Sequence, residues 1–307
     1  MSLKYMFQAI LFLAIGVAAP AHAGTQFVAS NGTDSVSCTR TAPCANLFQA
    51  LLNASPNDTI ICLDPVVNAG LSITKSIDIE CSGARAVLRD GFNVDAAIFI
   101  SIPVSGSDPF RTVRLRGITI NGAISTFRFT PRGIDIVSAA MVSIEDVVVS
   151  DVSQQGIFDG RTGGQTKLYI KDSIIRNNGG PGIVAAAAAV GIVVLDNVNS
   201  ENNAYGIAVA TGNNVVINRS VFSGNTNAGV EGDAGAQVVV DNSTITHNNI
   251  GVQSGLSVRL SNNNIAFNNT AISGVSGTFG NNRFSGNGTI GTVPTPLGGA
   301  SSDLGQQ

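Results

Sequence analysis

Two aspartates occupy similar places in this chain and could together carry out acid–base chemistry on a sugar. Asp135 and Asp159 each come just after a Gly-Ile pair that begins a short apolar segment. Two carboxyl groups can cleave a glycosidic bond when one serves as the acid and the other as the base or nucleophile, at a separation of about 5–10 Å. The sequence therefore nominates Asp135 and Asp159 as candidate catalytic residues.

Arginines and phenylalanines accompany these aspartates in three segments that are longer than the surrounding pattern requires. The segments are Ser101–Arg111, Ala123–Arg132 and Asp159–Thr166. Guanidinium groups bind carboxylates and aromatic rings offer flat apolar surfaces, so the segments could wall a groove for an acidic polysaccharide. In the alternative interpretation, the arginines only neutralise the aspartates and the phenylalanines only cover the fold. The candidate substrate-binding residues are Phe127, Arg128, Phe129, Arg132 and Arg161.

Other familiar catalytic motifs are absent from the sequence. It contains no Gly-x-Ser-x-Gly elbow, no His-Glu-x-x-His helix and no Walker loop. Its two histidines, His22 and His247, leave little room for a Ser-His-Asp triad, and we interpret His247 as a turn residue. Glu231 and Asp233 form a small acidic cluster that could bind calcium. We expect no other cofactor.

The N-terminus has the composition of a secretory signal peptide. Lys4 precedes a short apolar run from Met6 to Ala19, and the small-x-small sequence Ala21-His22-Ala23 follows. The run is shorter than the roughly 20 residues that a membrane span needs. We expect cleavage after Ala23, a secreted or periplasmic mature protein, and no insertion into a membrane. The net charge of −3 offers no basic field, which predicts no nucleic-acid partner.

The strongest pattern in the chain is a ladder of aliphatic residues that recurs about every two dozen positions. Valine and isoleucine alternate with polar residues around each rung, and two further short apolar segments follow before the next rung. Three short strands per repeat predict an all-β fold, a right-handed parallel β-helix of about nine to ten coils, in which each coil buries its apolar face against its neighbours. The rungs are Ile79, Leu115, Ile144, Ile170, Leu195, Ile217, Val240, Leu260 and Phe279.

An asparagine follows each of the last six rungs at an interval of eight residues. Asparagine tolerates the left-handed conformation of a tight turn, and stacked amides can bond from one coil to the next. We therefore predict a structural asparagine ladder. Its members are Asn178, Asn203, Asn225, Asn248, Asn268 and Asn287.

The four cysteines are expected to form two disulfides, because the chain is predicted to be exported. Cys38 and Cys44 could close a small loop. If Ile60 is the rung before Ile79, Cys62 and Cys81 stack on adjacent coils, about 4.7–4.9 Å apart, which suits a disulfide. A zinc site is the weaker alternative, because the nearest histidine lies in the signal peptide.

The expected organisation has four parts. Residues 1–23 are the signal peptide, residues 24–58 an N-terminal cap with a disulfide loop, residues 59–291 the β-helix and residues 292–307 a disordered tail. The cap includes Ala45–Ala54, whose apolar residues lie on one helical face and predict a short helix over the first coil.

These residues resemble the pectin-lyase-like superfamily of right-handed parallel β-helix repeat proteins, in its bacterial exported branch. The N-terminal cysteine pattern Cys38…Pro43-Cys44, Ile61-Cys62-Leu63-Asp64 and Cys81 strengthens the resemblance, which covers nearly the whole mature chain. It implies the fold more than an activity. The Asn-Thr-Asp and Gly-His-Gly elements of polygalacturonases are missing, as is the arginine motif of pectate lyases. Asp108-Pro109-Phe110 comes nearest to the Asp-Pro-His-Asp element of alginate epimerases but lacks its histidine.

Two functions remain open on the sequence. The first is a non-catalytic surface, matrix or carbohydrate-contacting scaffold, favoured because the lyase and hydrolase motifs are missing. The second is a divergent polysaccharide lyase or glycoside hydrolase that acts in the groove of the long segments. For the enzyme, and for a scaffold that contacts carbohydrate, the expected partner is a polysaccharide. An outward-facing Asp135–Asp159 pair in one groove would favour the enzyme, whereas arginine-paired aspartates would favour the scaffold.

Overall fold

A computed structural model describes residues 23–34, 37–89, 96–124 and 131–298 of the chain. The expected signal peptide, apart from Ala23, and the tail from residue 299 lie outside these residues. Within them, the chain forms a parallel β-solenoid of about ten turns. The predicted all-β fold with three strands per coil is confirmed.

Strands at equivalent places in successive coils pair in parallel and build three long sheets, called sheet 1, sheet 2 and sheet 3 in the order in which the chain crosses them. Sheets 1 and 2 merge through two long strands that contribute to both, Thr166–Arg176 and Gly191–Glu201. Sheet 1 further contains Thr25–Val28, Asp58–Cys62, Ile77–Glu80, Thr112–Arg116, Met141–Glu145, Asn213–Asn218, Gln237–Asp241, Val258–Ser261, Ser276–Gly280 and Thr295–Pro296. Sheet 2 further contains Val66–Asn68, Ala86–Leu88, Ile118–Asn121, Val148–Ser150, Val221–Ser223, Thr244–Thr246, Asn264–Ala266 and Arg283–Ser285. Sheet 3 contains Leu71–Ile73, Ala96–Ser101, Arg132–Ser138, Ile157–Asp159, Ile183–Ala185, Tyr205–Val209, Ala228–Gly232, Ile250–Ser254, Thr270–Ser273 and Thr289–Gly291.

The core is a stack of aliphatic side chains inside the three sheets. The rungs from Ile79 to Leu260 pair with one another in the predicted register, and Ile60 pairs with Ile79. Each rung is buried, and burial of such a side chain contributes about 1.5–3 kcal/mol. The last predicted rung is wrong: Thr278 pairs with Leu260, because an irregularity after Leu260 shifts the register and displaces Phe279.

Both predicted disulfides are present. Cys38 and Cys44 close a six-residue interval, and Cys62 and Cys81 join two adjacent coils with a Cα–Cα distance of 4.8 Å. The predicted helix is present at Leu47–Asn53 (α1), where Asn53 donates to Cys38 Sγ. It packs against the first strands of sheets 1 and 3. In the described part of the chain, no helix has the length and apolar character that a membrane span requires. Regular structure continues past residue 291, since Thr295–Pro296 pairs with Gly277–Thr278.

The six predicted ladder asparagines lie at the turn from sheet 2 to sheet 3. The Oδ1 atom of each later asparagine accepts a hydrogen bond from the backbone N–H of the one before it, at 2.9–3.0 Å. The left-handed conformation falls on the residue before the ladder asparagine, as at Asn177 and Asn202 with φ of 56° and 53°. The ladder asparagines therefore serve the turn through their amides.

A second polar ladder, which the spacing analysis missed, lies at the turn from sheet 1 to sheet 2. The hydroxyl of Ser243 accepts from the N–H of Ser220, and the N–H of Ser243 donates to Asn263 Oδ1, at 3.1 Å and 2.9 Å. Asn263 donates in turn to Asn282 Oδ1 from both its backbone and its side chain. Because serine and asparagine share this column, no single residue type marked it in the sequence.

Candidate functional site

The candidate catalytic aspartates lie on opposite sides of sheet 3. Asp135 pairs in register with Phe158, in the row of side chains that points away from the core, whereas Asp159 pairs with Ile136 in the row that points into it. Side chains alternate between the two faces of a strand. The expectation that Asp135 and Asp159 share one groove is therefore wrong, because the sheet lies between them.

Asp159 and Arg161 form a buried ion pair that fixes a loop. Asp159 is 0% and Arg161 1% exposed, and the guanidinium donates from Nε and Nη2 to the two carboxylate oxygens at 2.7 Å and 2.6 Å. Arg161 Nη1 also donates to the carbonyls of Ala139 and Lys167 at 3.3 Å and 3.2 Å. These bonds tie the segment Asp159–Thr166 to the core. Neither Asp159 nor Arg161 can reach a polysaccharide.

Asp108 and Arg111 anchor a second long segment in the same way. Asp108 is buried and accepts hydrogen bonds from the N–H and the hydroxyl of Ser76 and from the N–H groups of Phe110 and Arg111. Burial alone would raise the pKa of Asp108, but these hydrogen bonds outweigh it and hold the pKa below the usual range. Arg111 donates to Ile102 O and Ser138 Oγ. Asp108 is thus a structural residue of the segment Ser101–Arg111.

The long segments flank sheet 3 on both sides instead of gathering along one side. Ser101–Arg111 and Asp159–Thr166 connect sheet 3 to sheet 1, whereas the segment that ends at Arg132 enters sheet 3 from sheet 2. The outward row of sheet 3 lies between these two edges and is called the groove floor, after the groove expected from the sequence. Phe127, Arg128 and Phe129 lie outside the described residues. The groove floor runs, coil by coil, through Phe99, Asp135, Phe158, Val184, Ala208, Glu231 and Gln253.

Arg132 is the predicted binding residue that does lie on this floor. Its guanidinium stacks over the ring of Phe158 at 4.2 Å from the ring centroid, and it donates to Asp135 Oδ2 at 2.8 Å and to Gln155 Oε1 at 2.9 Å. The Arg132 side chain stays 28% exposed, whereas that of Asp135 is 3% exposed. Such a planar, oriented guanidinium beside an aromatic ring can bind a carboxylate or a sugar hydroxyl. Asp135 is held as the partner of Arg132, away from solvent.

Farther along the same floor, Glu231 and Asp233 form a second polar feature. The pKa of Glu231 is raised to about 7, mainly by burial and further by the charge of Asp233 and a hydrogen bond with Asp233. A backbone hydrogen bond at Val209 lowers this pKa and partly offsets the rise. A carboxyl group with a pKa near 7 is suited to general acid–base chemistry. In the described ranges, no three acidic, histidine or cysteine side chains gather as they would around a metal ion, so the calcium interpretation of Glu231 and Asp233 gains no support.

His247, which the sequence predicts as a turn residue, contacts a phenylalanine one coil later. His247 occupies a left-handed turn position with a φ of 58°, in the column that precedes the asparagine ladder. Its Nδ1 atom lies 2.9 Å from Thr246 Oγ1, and its ring stacks on that of Phe267. His247 lies at the turn from sheet 2 to sheet 3, and the groove floor described above contains neither His247 nor Thr246.

Comparisons with known proteins agree with this architecture. Residues 156–295 match the family model described as a right handed beta helix region. Sequence comparison with curated proteins finds no significant match. The structure is similar to that of the pectate lyase Pel9A, with a TM-score of 0.51 and 15% identity over 81% of this chain and 76% of the lyase.

Two further solved structures resemble the chain. The A-module of the mannuronan C-5 epimerase AlgE4 from Azotobacter vinelandii gives a TM-score of 0.51 and 15% identity, over 78% of this chain and 91% of the module. The complex of XylC with xylose gives 0.57 and 13%, over 85% of this chain and 68% of that one. At these identities the likeness concerns the fold alone. The protein is a right-handed parallel β-helix with the pectin-lyase-like fold.

Proposed function

We propose that this protein is an exported, non-catalytic scaffold that holds a polysaccharide along the outer face of sheet 3. One observation carries the proposal: each of the two candidate catalytic aspartates is paired with an arginine, Asp159 with Arg161 in the core and Asp135 with Arg132 on the floor. What the groove offers to solvent is a guanidinium stacked on an aromatic ring. This arrangement suits binding more than bond cleavage.

Three further observations support the proposal. The structural relatives described above include one named as a pectate lyase and one named as a mannuronan C-5 epimerase. The two disulfides fit an oxidising compartment outside the cytoplasm, as the predicted signal peptide does. The two long segments on the sheet-1 edge of sheet 3 are anchored through Asp108 and Arg161, which lowers the entropic cost of binding along that edge.

Affinity electrophoresis of the purified protein in gels that contain acidic or neutral polysaccharides tests this function. We expect at least one polysaccharide to retard the wild-type protein. Arg132→Lys keeps the charge but removes the planar fork over Phe158, and we expect it to weaken binding about tenfold. Arg176→Lys, an exposed arginine on sheet 2, is the matched control and should bind like the wild type. Equal binding by both variants, or no retardation by any polysaccharide, would refute the proposal.

A second candidate function rests on Glu231. Its raised pKa would let it act as a general acid or base in a lyase or glycoside hydrolase, with Asp233 as its charged neighbour. In that case the protein would release oligosaccharides, the release would follow a titration near pH 7, and Glu231→Gln would abolish it. Release that persists in Glu231→Gln would eliminate Glu231 as the acid or base.

A further inference from the structure

An aromatic pair stands at the edge between sheets 2 and 3, apart from the floor of the sheet-3 groove. His247 and Phe267 occupy equivalent places in successive coils, and their ring centroids are 5.4 Å apart with an interplanar angle of 28°. Both side chains are exposed, and that of Phe267 remains 58% exposed. The pair is therefore a surface feature, and it contributes little to the core.

The backbone at Phe267 is unusual for a residue of its size. Its φ is 56°, in the left-handed region, which disfavours bulky side chains. Other coils fill this position with residue types that tolerate it: Asp151, Asn177, Asn202, Gly224 and Gly286. The turn itself thus needs no aromatic residue. A strained backbone that presents an exposed ring is the kind of outlier that indicates a functional role.

The surroundings of the pair suit the face of a sugar ring. Gly286 in the next coil lies against the Phe267 ring, where a Cβ would come within 2.5 Å of a ring carbon, so any larger residue there would have to displace the ring. The exposed amides of Asn249 and Asn269 lie two residues beyond the two rings, and Asn269 Nδ2 donates to Asn249 Oδ1 at 3.1 Å. The pair thus combines a flat apolar surface with neighbouring hydrogen-bonding groups.

We propose that His247 and Phe267 form a second carbohydrate-binding platform, separate from the sheet-3 groove. The apolar C–H face of a pyranose would stack on the Phe267 ring beside Gly286, and its hydroxyls would bond to the amides of Asn249 and Asn269. The platform takes a neutral sugar chain, because Arg259 is the single lysine or arginine in the sequence between Arg219 and Arg283, and its guanidinium bonds to Gln237 on sheet 1.

The ring of His247 provides a direct readout, since His22 is the only other histidine in the sequence. Titration of the protein with cellohexaose and xylohexaose, followed by NMR of the histidine ring, should shift the His247 signals in a saturable manner with at least one probe. Phe267→Asn should weaken that binding about tenfold. Because Asn occupies the same position in two other coils, this variant should unfold at the same or a higher temperature than the wild type.

Two controls separate the platform from the groove. Phe110→Asn removes an exposed phenylalanine from the loop at the sheet-3 edge and should leave the His247 titration unchanged, as should Arg132→Lys. The absence of a His247 shift with either neutral probe would overturn the platform, as would equal affinity of Phe267→Asn and the wild type. Since Arg132→Lys reports on the groove alone, failure of the platform and failure of the groove can be told apart.

Discussion

Removal of the Asp159 carboxylate should destabilise the folded solenoid, so the variant tests a structural role of Asp159 and not a catalytic one. Asp159→Ala would leave the Arg161 guanidinium buried at 1% exposure, with neutral carbonyl oxygens of Ala139, Ala140 and Lys167 at 3.2–3.4 Å as its remaining side-chain partners. Removal of one partner from a buried ion pair costs about 3–5 kcal/mol. We expect the free energy of unfolding to fall by that amount.

Removal of both charges should cost much less. In Asp159→Leu/Arg161→Met no buried charge remains, and the expected loss is about 1–2 kcal/mol for the carbonyl groups that lose a donor. Arg85→Met removes an exposed ion pair with Asp146 and should cost less than about 1 kcal/mol.

Urea unfolding followed by circular dichroism measures all three variants, and hydrogen exchange in the segment Asp159–Thr166 locates the change. A loss of less than about 1 kcal/mol for Asp159→Ala would contradict this expectation, and so would a double variant that is as unstable as the single one. Either result would mean that the buried pair does not hold the loop, and Asp159 would again be open to a functional role.

Three other properties follow from the structure. Asn248→Ala should lower the free energy of unfolding by about 3–5 kcal/mol, because the buried N–H of Asn225 and the buried carbonyl of Phe222 lose their partners. The exposed Asn269→Ala should cost under about 0.5 kcal/mol, and equal losses for the two variants in urea unfolding would contradict the ladder. Because folding raises the pKa of Glu231 from 4.5 to about 7, the free energy of unfolding should fall as the pH rises from about 4.5 to 7. Glu231→Gln should flatten this part of the stability–pH profile, and an unchanged slope would refute the raised pKa. Replacement of Cys62 and Cys81 by alanine opens a 19-residue link and should cost about 3 kcal/mol, and a melting temperature within about 1 °C of the wild type would contradict that.

The repeat could be predicted from the sequence because the alternation of aliphatic and polar residues is local and recurs in every coil. A buried aliphatic at Ile79 sets the register for Leu115 and the later rungs, and each coil repeats the same alternation. The same register placed Cys62 beside Cys81. The prediction failed at Phe279, where a one-residue irregularity after Leu260 moves Thr278 into the rung; nothing in the spacing distinguishes the two neighbours.

The candidate site was harder to predict because it depends on which face of a strand each residue occupies. Asp135 comes two residues after Gly133 and Asp159 three residues after Gly156, and that difference of one places them on opposite faces of sheet 3. This parity is visible in the sequence. The stacking of Arg132 on Phe158 depends on a side-chain conformation, and the raised pKa of Glu231 depends mainly on its burial. The periodicity of the sequence gives the strand register but neither of these.

Mass spectrometry of soluble products tests the central claim most directly. The purified protein, with and without calcium, would be incubated at pH 5 to 8 with the polysaccharides that retard it in affinity gels, alongside Glu231→Gln. A non-catalytic scaffold predicts that no new oligosaccharides form while the polysaccharide still binds. New oligosaccharides that disappear in Glu231→Gln would contradict the scaffold and identify the groove over sheet 3 as an active site.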